Sequence, residues 1–216
     1  MIYIKNKFIN LIIKKKVLQF GKFKLKSGRN SPYFFNSGIL NTGKELHILG
    51  KIYAKIIVES KIKFDVIFGT AYKGIPIVTA TAIALSKYYN LEIPYCFNRK
   101  EQKQYGDKGE LIGSNIKEKK IIIIDDVITA GTSVKNLEKI IKEKKAQVKG
   151  IIVALDRQEK FHGEENISQY IKTKYACNLI SIITIQDIIS YISKEKNKKL
   201  FRNLEKMCKY YIKYSL

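Results

Sequence analysis

Cysteine, histidine and acidic side chains are all scarce in this 216-residue chain, and each scarcity removes a class of chemistry. Its three cysteines, Cys96, Cys177 and Cys208, are far apart, odd in number and without C-x-x-C spacing, so they read as reduced structural thiols rather than a disulfide framework. Two histidines, His47 and His162, leave little material for a histidine-rich metal site or a Ser-His-Asp triad. His47 falls in a helical run and reads as a surface residue. No apolar run approaches the roughly 20 residues of a membrane span. The N-terminal MIYIKNKFINLIIKKK interleaves lysine with apolar positions, unlike a secretory leader, and the expected location is the cytoplasm. The chain also has no Gly-Lys-Ser/Thr Walker loop, no G-x-G-x-x-G turn and no internal repeat.

Only 19 acidic residues stand against 41 lysines and arginines, a net charge of +22. Clustered cations bind nucleic acid by releasing counterions. Here the lysines are scattered through nearly every segment, and arginine occurs only at positions 29, 99, 157 and 202. This pattern, with its heavy use of Lys, Ile and Asn, reads as drift toward A/T-rich codons, and a nucleic-acid or membrane partner is not expected. The positive field would still speed encounter with anionic substrates. Hydrophobic content of 45% is ample for a core, and an α/β chain of this length suits one domain.

What is present centres on residues 121–133, IIIIDDVITAGTS. Four consecutive isoleucines suit a strand buried on both faces of a parallel sheet, and Asp125 and Asp126 are expected to stop it at its carboxyl end. Open α/β sheets bind ligands there. Val127 and Ile128 lead into Thr129, Ala130, Gly131, Thr132 and Ser133, which offer hydroxyls and backbone amides ahead of a helical run over 134–144. That is a phosphate cradle on a helix N-terminus. A pair of carboxylates beside it suits vicinal hydroxyls, because carboxylates accept hydrogen bonds from a diol and repel phosphate oxygens. A ribose 5-phosphate meets both demands; a strand with a solvated acidic turn is the plainer alternative.

Elsewhere strand and helix alternate. A first helix around Phe8 to Lys15 is closed by Phe20-Gly21, and short strands at 22–25 and 33–36 flank the turn Ser27-Gly28-Arg29-Asn30-Ser31-Pro32. Helix is expected over 46–60, 75–89 and 134–144, strand over 65–70, 93–98, 147–155 and 180–183, and two helical runs at the end. The core is therefore a parallel sheet with helices on both faces. Residues 99–113, RKEQKQYGDKGELIG, break the alternation and read as a mobile loop, either an ordinary solvated connection or a lid whose Arg99, Lys100 and Lys103 close over a pyrophosphate. The turn Thr70-Ala71-Tyr72-Lys73-Gly74 is a second candidate phosphate site at a strand end, with a plain β–α turn as the alternative. Phe34 and Phe35 are adjacent in a strand and point to opposite faces, so one of them belongs to the core. Arg157 could grip a carboxylate bidentately or form a structural salt bridge.

Taken together, Lys26, Tyr33-Phe34-Phe35, Gly69 to Pro76, Arg99-Lys100 with Lys103, the 121–133 segment and Leu155 to Glu159 resemble the orotate phosphoribosyltransferases of the type I phosphoribosyltransferase family, almost continuously from residue 18 to 160. The resemblance implies an α/β type I phosphoribosyltransferase fold with a central parallel sheet and a small hood from N-terminal elements. It also implies one domain over 1–216: helix and hood to about 40, core over 41–160, late strand and C-terminal helices over 161–216. The implied reaction joins orotate to the ribosyl carbon of 5-phosphoribosyl 1-pyrophosphate (PRPP), with Mg²⁺ held mainly by substrate and water and no fixed protein ligand. Catalysis would fall to Lys73, Lys103, Asp125 and Asp126. PRPP would be bound by these with Lys26, Tyr72, Arg99, Lys100, Tyr105 and residues 127–133, and orotate by Lys26, Phe34, Phe35, Thr129 and Arg157. The resemblance further implies a homodimer with Arg99 and Lys103 acting in trans, and a non-proline cis peptide between Ala71 and Tyr72. Two departures stand out: Tyr105 occupies the place of a familiar loop histidine, and Thr70 that of a proline. A transferase for another base and a regulatory nucleic-acid-binding protein are the competing readings.

Overall fold

A computed structural model describes residues 2–25, 27–103, 109–128, 132–162, 165–194 and 198–215. The chain begins with α1 (Ile2–Lys14), then a hairpin of β1 (Leu18–Lys24) and β2 (Asn30–Phe35), and a 3-10 turn over Ser37–Ile39. Next come α2 (Gly43–Ser60), β3 (Val66–Gly69), α3 (Gly74–Tyr89), β4 (Tyr95–Lys103), β5 (Gly109–Gly113), β6 (Lys120–Ile128), α4 (Thr132–Glu143) and β7 (Gln147–Asp156). The small strands β8 (Lys160–His162) and β9 (Glu165–Asn166), α5 (Ile167–Tyr175), β10 (Asn178–Thr184), α6 (Ile185–Lys194) and α7 (Lys198–Tyr214) complete it.

The central sheet has the order β10-β7-β6-β3-β4-β5. Its neighbours pair in parallel except β5, which runs antiparallel to β4 at the edge. The isoleucine run of β6 serves both faces in alternation. Ile121 and Ile123 join Val153, Leu137 of α4 and Ile171 of α5 in one core. Ile122 and Ile124 join Tyr53 of α2, Val78 of α3, Ile188 of α6 and Met207 of α7 in the other. Each such isoleucine is fully buried and contributes about 2 kcal/mol of transfer free energy. A strand covered on both sides needs this continuous apolar run, which is why its direction and depth were readable.

Away from the sheet's carboxyl ends, the structure departs from the sequence reading at three places. Phe20-Gly21 does not close α1: Lys16 takes the left-handed conformation that ends it, and both residues lie in β1, where the register with β2 shifts after Phe20. The expected loop over 99–113 is largely strand, since β4 continues to Lys103 and β5 returns antiparallel, leaving 104–108 outside the described residues. Charged residues form strand here because β3 pairs with β4 only as far as Phe97, so the β4–β5 ribbon beyond it is open to water while its two strands still pair with each other. α5 has no counterpart in the sequence reading; its start is a capping box in which Asn166 and Gln169 satisfy each other's backbone amides. No described helix is long and apolar enough to cross a membrane.

Candidate active site

Chain direction across the sheet reverses at β3 and β6: β3 leads outward to β4, while β6 leads the other way to β7 and β10. A crevice opens at the carboxyl ends of two strands diverging in this manner. Asp125 and Asp126 lie at its floor. They do not stop β6, as expected, because β7 keeps pairing with it as far as Ile128 opposite Asp156. Pairing with β3 ends earlier, at Gly69 opposite Ile124. The acids thus sit on rigid strand where one neighbour has departed, which fixes their backbone and still opens one flank.

Both aspartates are buried, at 8% and 7% exposure. Asp126 is held from three sides: Ser37 donates its hydroxyl to Oδ2 at 2.7 Å, Lys73 Nζ lies 3.2 Å from the same oxygen, and the Val127 amide donates to Oδ1 at 2.9 Å. The Asp126 amide donates to Asp125 Oδ1 at 2.8 Å, and Tyr53 donates its hydroxyl to the Asp125 carbonyl at 2.8 Å. Burial, reinforced by the two aspartates, pushes the Tyr53 hydroxyl well above the ordinary phenol value, so it remains a neutral donor. Partners of this kind offset the desolvation of buried carboxylates.

The second turn follows β3. Its peptide between Ala71 and Tyr72 is cis. Asn98 of β4 accepts the Ala71 amide at 2.8 Å, and Gly74 donates to the Thr70 carbonyl at 2.8 Å. Gly74 must be glycine, because a Cβ there would stand 2.8 Å from the Ile124 carbonyl and 2.9 Å from Thr70 Oγ1. This close approach brings the start of α3 against β6, and with it Lys73 onto Asp126. Tyr72 is 63% exposed with Lys100 Nζ 4.3 Å from its ring centroid. Arg99 lies beside Lys100 on β4 and is half-buried.

Over the crevice stands the hairpin β1–β2. Phe34 is half-buried, stacked on Phe23 at 5.5 Å, and its ring lies 5.9 Å from Lys73 Nζ. Phe35 points the other way into the core at 4% exposure, as the alternation of a strand requires. Arg157, expected to grip a carboxylate, is 3% exposed, and its Nε and Nη2 are committed: Nε to Glu159 at 2.6 Å, Nη2 to Ser31 Oγ at 2.9 Å and to the Tyr210 hydroxyl at 3.3 Å. A bidentate grip through that edge is therefore displaced by a buried ion pair, because Glu159, itself 3% exposed, needs a counter-charge.

A family profile for the phosphoribosyl transferase domain matches residues 36–187, well over half of the chain. The chain belongs to the phosphoribosyltransferase family. Within that family it is 50% identical over 212 residues to an orotate phosphoribosyltransferase of Buchnera aphidicola subsp. Acyrthosiphon pisum (strain Tuc7), covering 98% of this chain and 99% of the relative. It is likewise 50% identical over 188 residues to one of Escherichia coli O45:K1 (strain S88 / ExPEC), covering 87% of this chain and 88% of the relative. Among solved structures, the orotate phosphoribosyltransferase of Francisella tularensis superposes with a TM-score of 0.82 at 36% identity, covering 97% of this chain and all of that one.

The phosphoribosyltransferase core thus brings together Lys73, Asp125, Asp126 and Tyr72 beneath Phe34 of the hairpin, and sets Arg99 and Lys100 on the adjacent strand. Thr132 and Ser133 open α4. Lys26, Tyr105, Thr129, Ala130 and Gly131 fall outside the described residues, and Lys103 ends β4. Sequence reasoning missed four supports of the site: Ser37, Tyr53, Asn98 and the pairing of Glu159 with Arg29. Each lies far along the chain from its partner, and no local pattern marks it. Glu159 alone carried a signal, as an acid inside an apolar strand's exit with an arginine two residues before it.

Proposed function

We propose that this phosphoribosyltransferase acts on orotate and PRPP, giving orotidine 5′-phosphate and pyrophosphate in de novo pyrimidine (UMP) biosynthesis, as a cytoplasmic enzyme. The observation that carries the reading is Asp126, on which the hood, through Ser37, and the β3–α3 turn, through Lys73, converge. A base under the hood and a pyrophosphate on the turn would then lie on either side of one carboxylate pair. Asp125 and Asp126 orient the ribose hydroxyls and offset positive charge developing at the anomeric carbon as its bond to pyrophosphate breaks and the bond to the base nitrogen forms. Lys73, Arg99, Lys100 and Lys103 stabilise the leaving pyrophosphate, aided by Tyr72 and by Tyr105, which donates a hydrogen bond but no charge. Residues 127–133 cradle the 5-phosphate at the N-terminus of α4. Lys26, Phe34 and Thr129 contact the base, while Phe35 and Arg157 support it from within.

Two adjacent carboxylates, one oxygen of Asp126 already shared by Ser37 and Lys73, fit an Mg²⁺ ion that stays mainly on substrate oxygens and water. When bound, that ion supplies Lewis-acid neutralisation of the pyrophosphate. The deciding assay offers orotate, uracil and hypoxanthine separately with PRPP and Mg²⁺. Orotate alone is expected to be consumed; turnover of uracil or hypoxanthine at a comparable rate would overturn the assignment. Lys103→Ala should lower kcat by about 100-fold with the orotate KM little changed. Equal turnover in that variant removes Lys103 from the catalytic set.

A further inference from the structure

The family profile ends at residue 187 and begins at 36, so both the hood hairpin and α7 lie outside the shared core. In this chain they are joined. Glu159, at the exit of β7, is the joint: Oε1 accepts from Arg157 Nε at 2.6 Å and from the Tyr210 hydroxyl of α7 at 2.8 Å, while Oε2 accepts from Arg29 Nη1 at 3.0 Å. Arg29 precedes β2 and also donates to the Lys160 carbonyl at 2.8 Å. Arg157 ties in Ser31 of β2, whose hydroxyl donates to the Tyr33 carbonyl at 2.7 Å. Tyr33 meets Tyr210 edge to face at 6.0 Å and lies under the Arg157 guanidinium at 4.0 Å.

Three separate stretches of chain therefore share one buried carboxylate, and the hairpin gripped in this way carries Phe34 one residue beyond Tyr33. Removing one donor from such a network leaves the shared carboxylate short of a partner and loosens what it holds. Burial, with Glu159 alongside, pushes the Tyr210 hydroxyl up to about 12, so it stays a neutral donor across the working pH range.

We propose that Tyr210 is a positioning residue for the acceptor base, holding the hood hairpin through Glu159, and that α7 thereby sets orotate affinity. The inference rests on orotate being the acceptor. PRPP would be held chiefly by the core turns and strands and meet the hood only through Ser37 on Asp126, downstream of the clamped hairpin, so orotate should respond far more strongly than PRPP.

Tyr210→Phe removes one hydroxyl and keeps the ring. It should raise the orotate KM by about three- to tenfold, with kcat at saturating orotate and the PRPP KM within about twofold of wild type. Arg29→Met, which releases the hairpin from the same carboxylate at a more exposed point, should show the same split, and the double variant should fall short of the product of the two effects. An unchanged orotate KM in Arg29→Met or Tyr210→Phe, or a parallel shift of both KM values, overturns the clamp while leaving the assignment of the reaction intact. Wild-type protein inert toward orotate overturns the assignment and the clamp with it.

Discussion

Asp126 is the residue on which the site turns, and its surroundings explain why an adjacent pair of acids can be buried at all. Two donors on Oδ2 and one on Oδ1 replace the water it lost, so the carboxylate is oriented before any ligand arrives. Ser37→Ala should therefore lower kcat/KM for PRPP by about ten- to 100-fold, the value of one hydrogen bond to a charged group, while unfolding free energy falls by about 1–3 kcal/mol. Steady-state kinetics with PRPP varied would show it; an unchanged kcat/KM would mean that Lys73 alone positions the acid. The cysteines give a second test at this scale. Burial pushes the Cys96 thiol up to about 12 and Cys177 to about 11, whereas Cys208 is half-buried. A thiol reagent at mildly alkaline pH should modify one thiol per native chain, Cys208, and all three after unfolding. Rapid native labelling of Cys96 would contradict the packing described.

At the scale of elements, the ties between helices are made by few polar contacts over apolar faces. Asp187, in the first turn of α6, accepts from Lys5 of α1 at 2.8 Å and from the Thr184 amide at 2.8 Å, so one carboxylate both caps α6 and anchors α1. Burial pushes that carboxyl up, but the Lys5 ammonium and the Thr184 amide outweigh it and hold it below the ordinary value. With the folded value the lower, the tie is fully present above the unfolded carboxylate value of about 3.9 and is lost as pH falls through the folded value. Asp187→Asn should cost about 1 kcal/mol at neutral pH, and the deficit should shrink near pH 3. Urea unfolding at both pH values measures it; an equal deficit at both would assign the effect to the cap geometry and not the charge.

For the whole molecule, the homodimer that the resemblance implies, with Arg99 and Lys103 reaching the partner's site, makes a distinctive prediction. Lys103→Ala and Asp126→Asn chains should each be nearly inactive alone. Mixed and allowed to exchange subunits, they should recover about a quarter of wild-type activity, because half of the dimers are hybrids and each hybrid has one complete site. No recovery after demonstrated exchange would place Lys103 in cis. The excess of cations belongs to this scale as well: it sets a field around the molecule, not a contact within it.

Much of this was legible before any coordinates. The isoleucine run, the Asp125–Asp126 pair and the glycine-bearing turn at 69–74 are local signals, since a doubly covered strand, a diol-binding acid pair and a tight strand-to-helix turn each demand particular residues at adjacent positions. Strand ends were not legible, because β6 runs past its acids only where β7 is there to pair with it, and β4 carries charge only past Phe97, where β3 no longer pairs with it and β5 alone does. Nor could the chain alone say which of Phe34 and Phe35 faces the crevice, or that Arg157 is committed to Glu159. Those outcomes depend on side chains more than 50 residues apart competing for the same buried oxygen, as Tyr210 and Arg157 do at Glu159, and such competition is settled only when the elements pack.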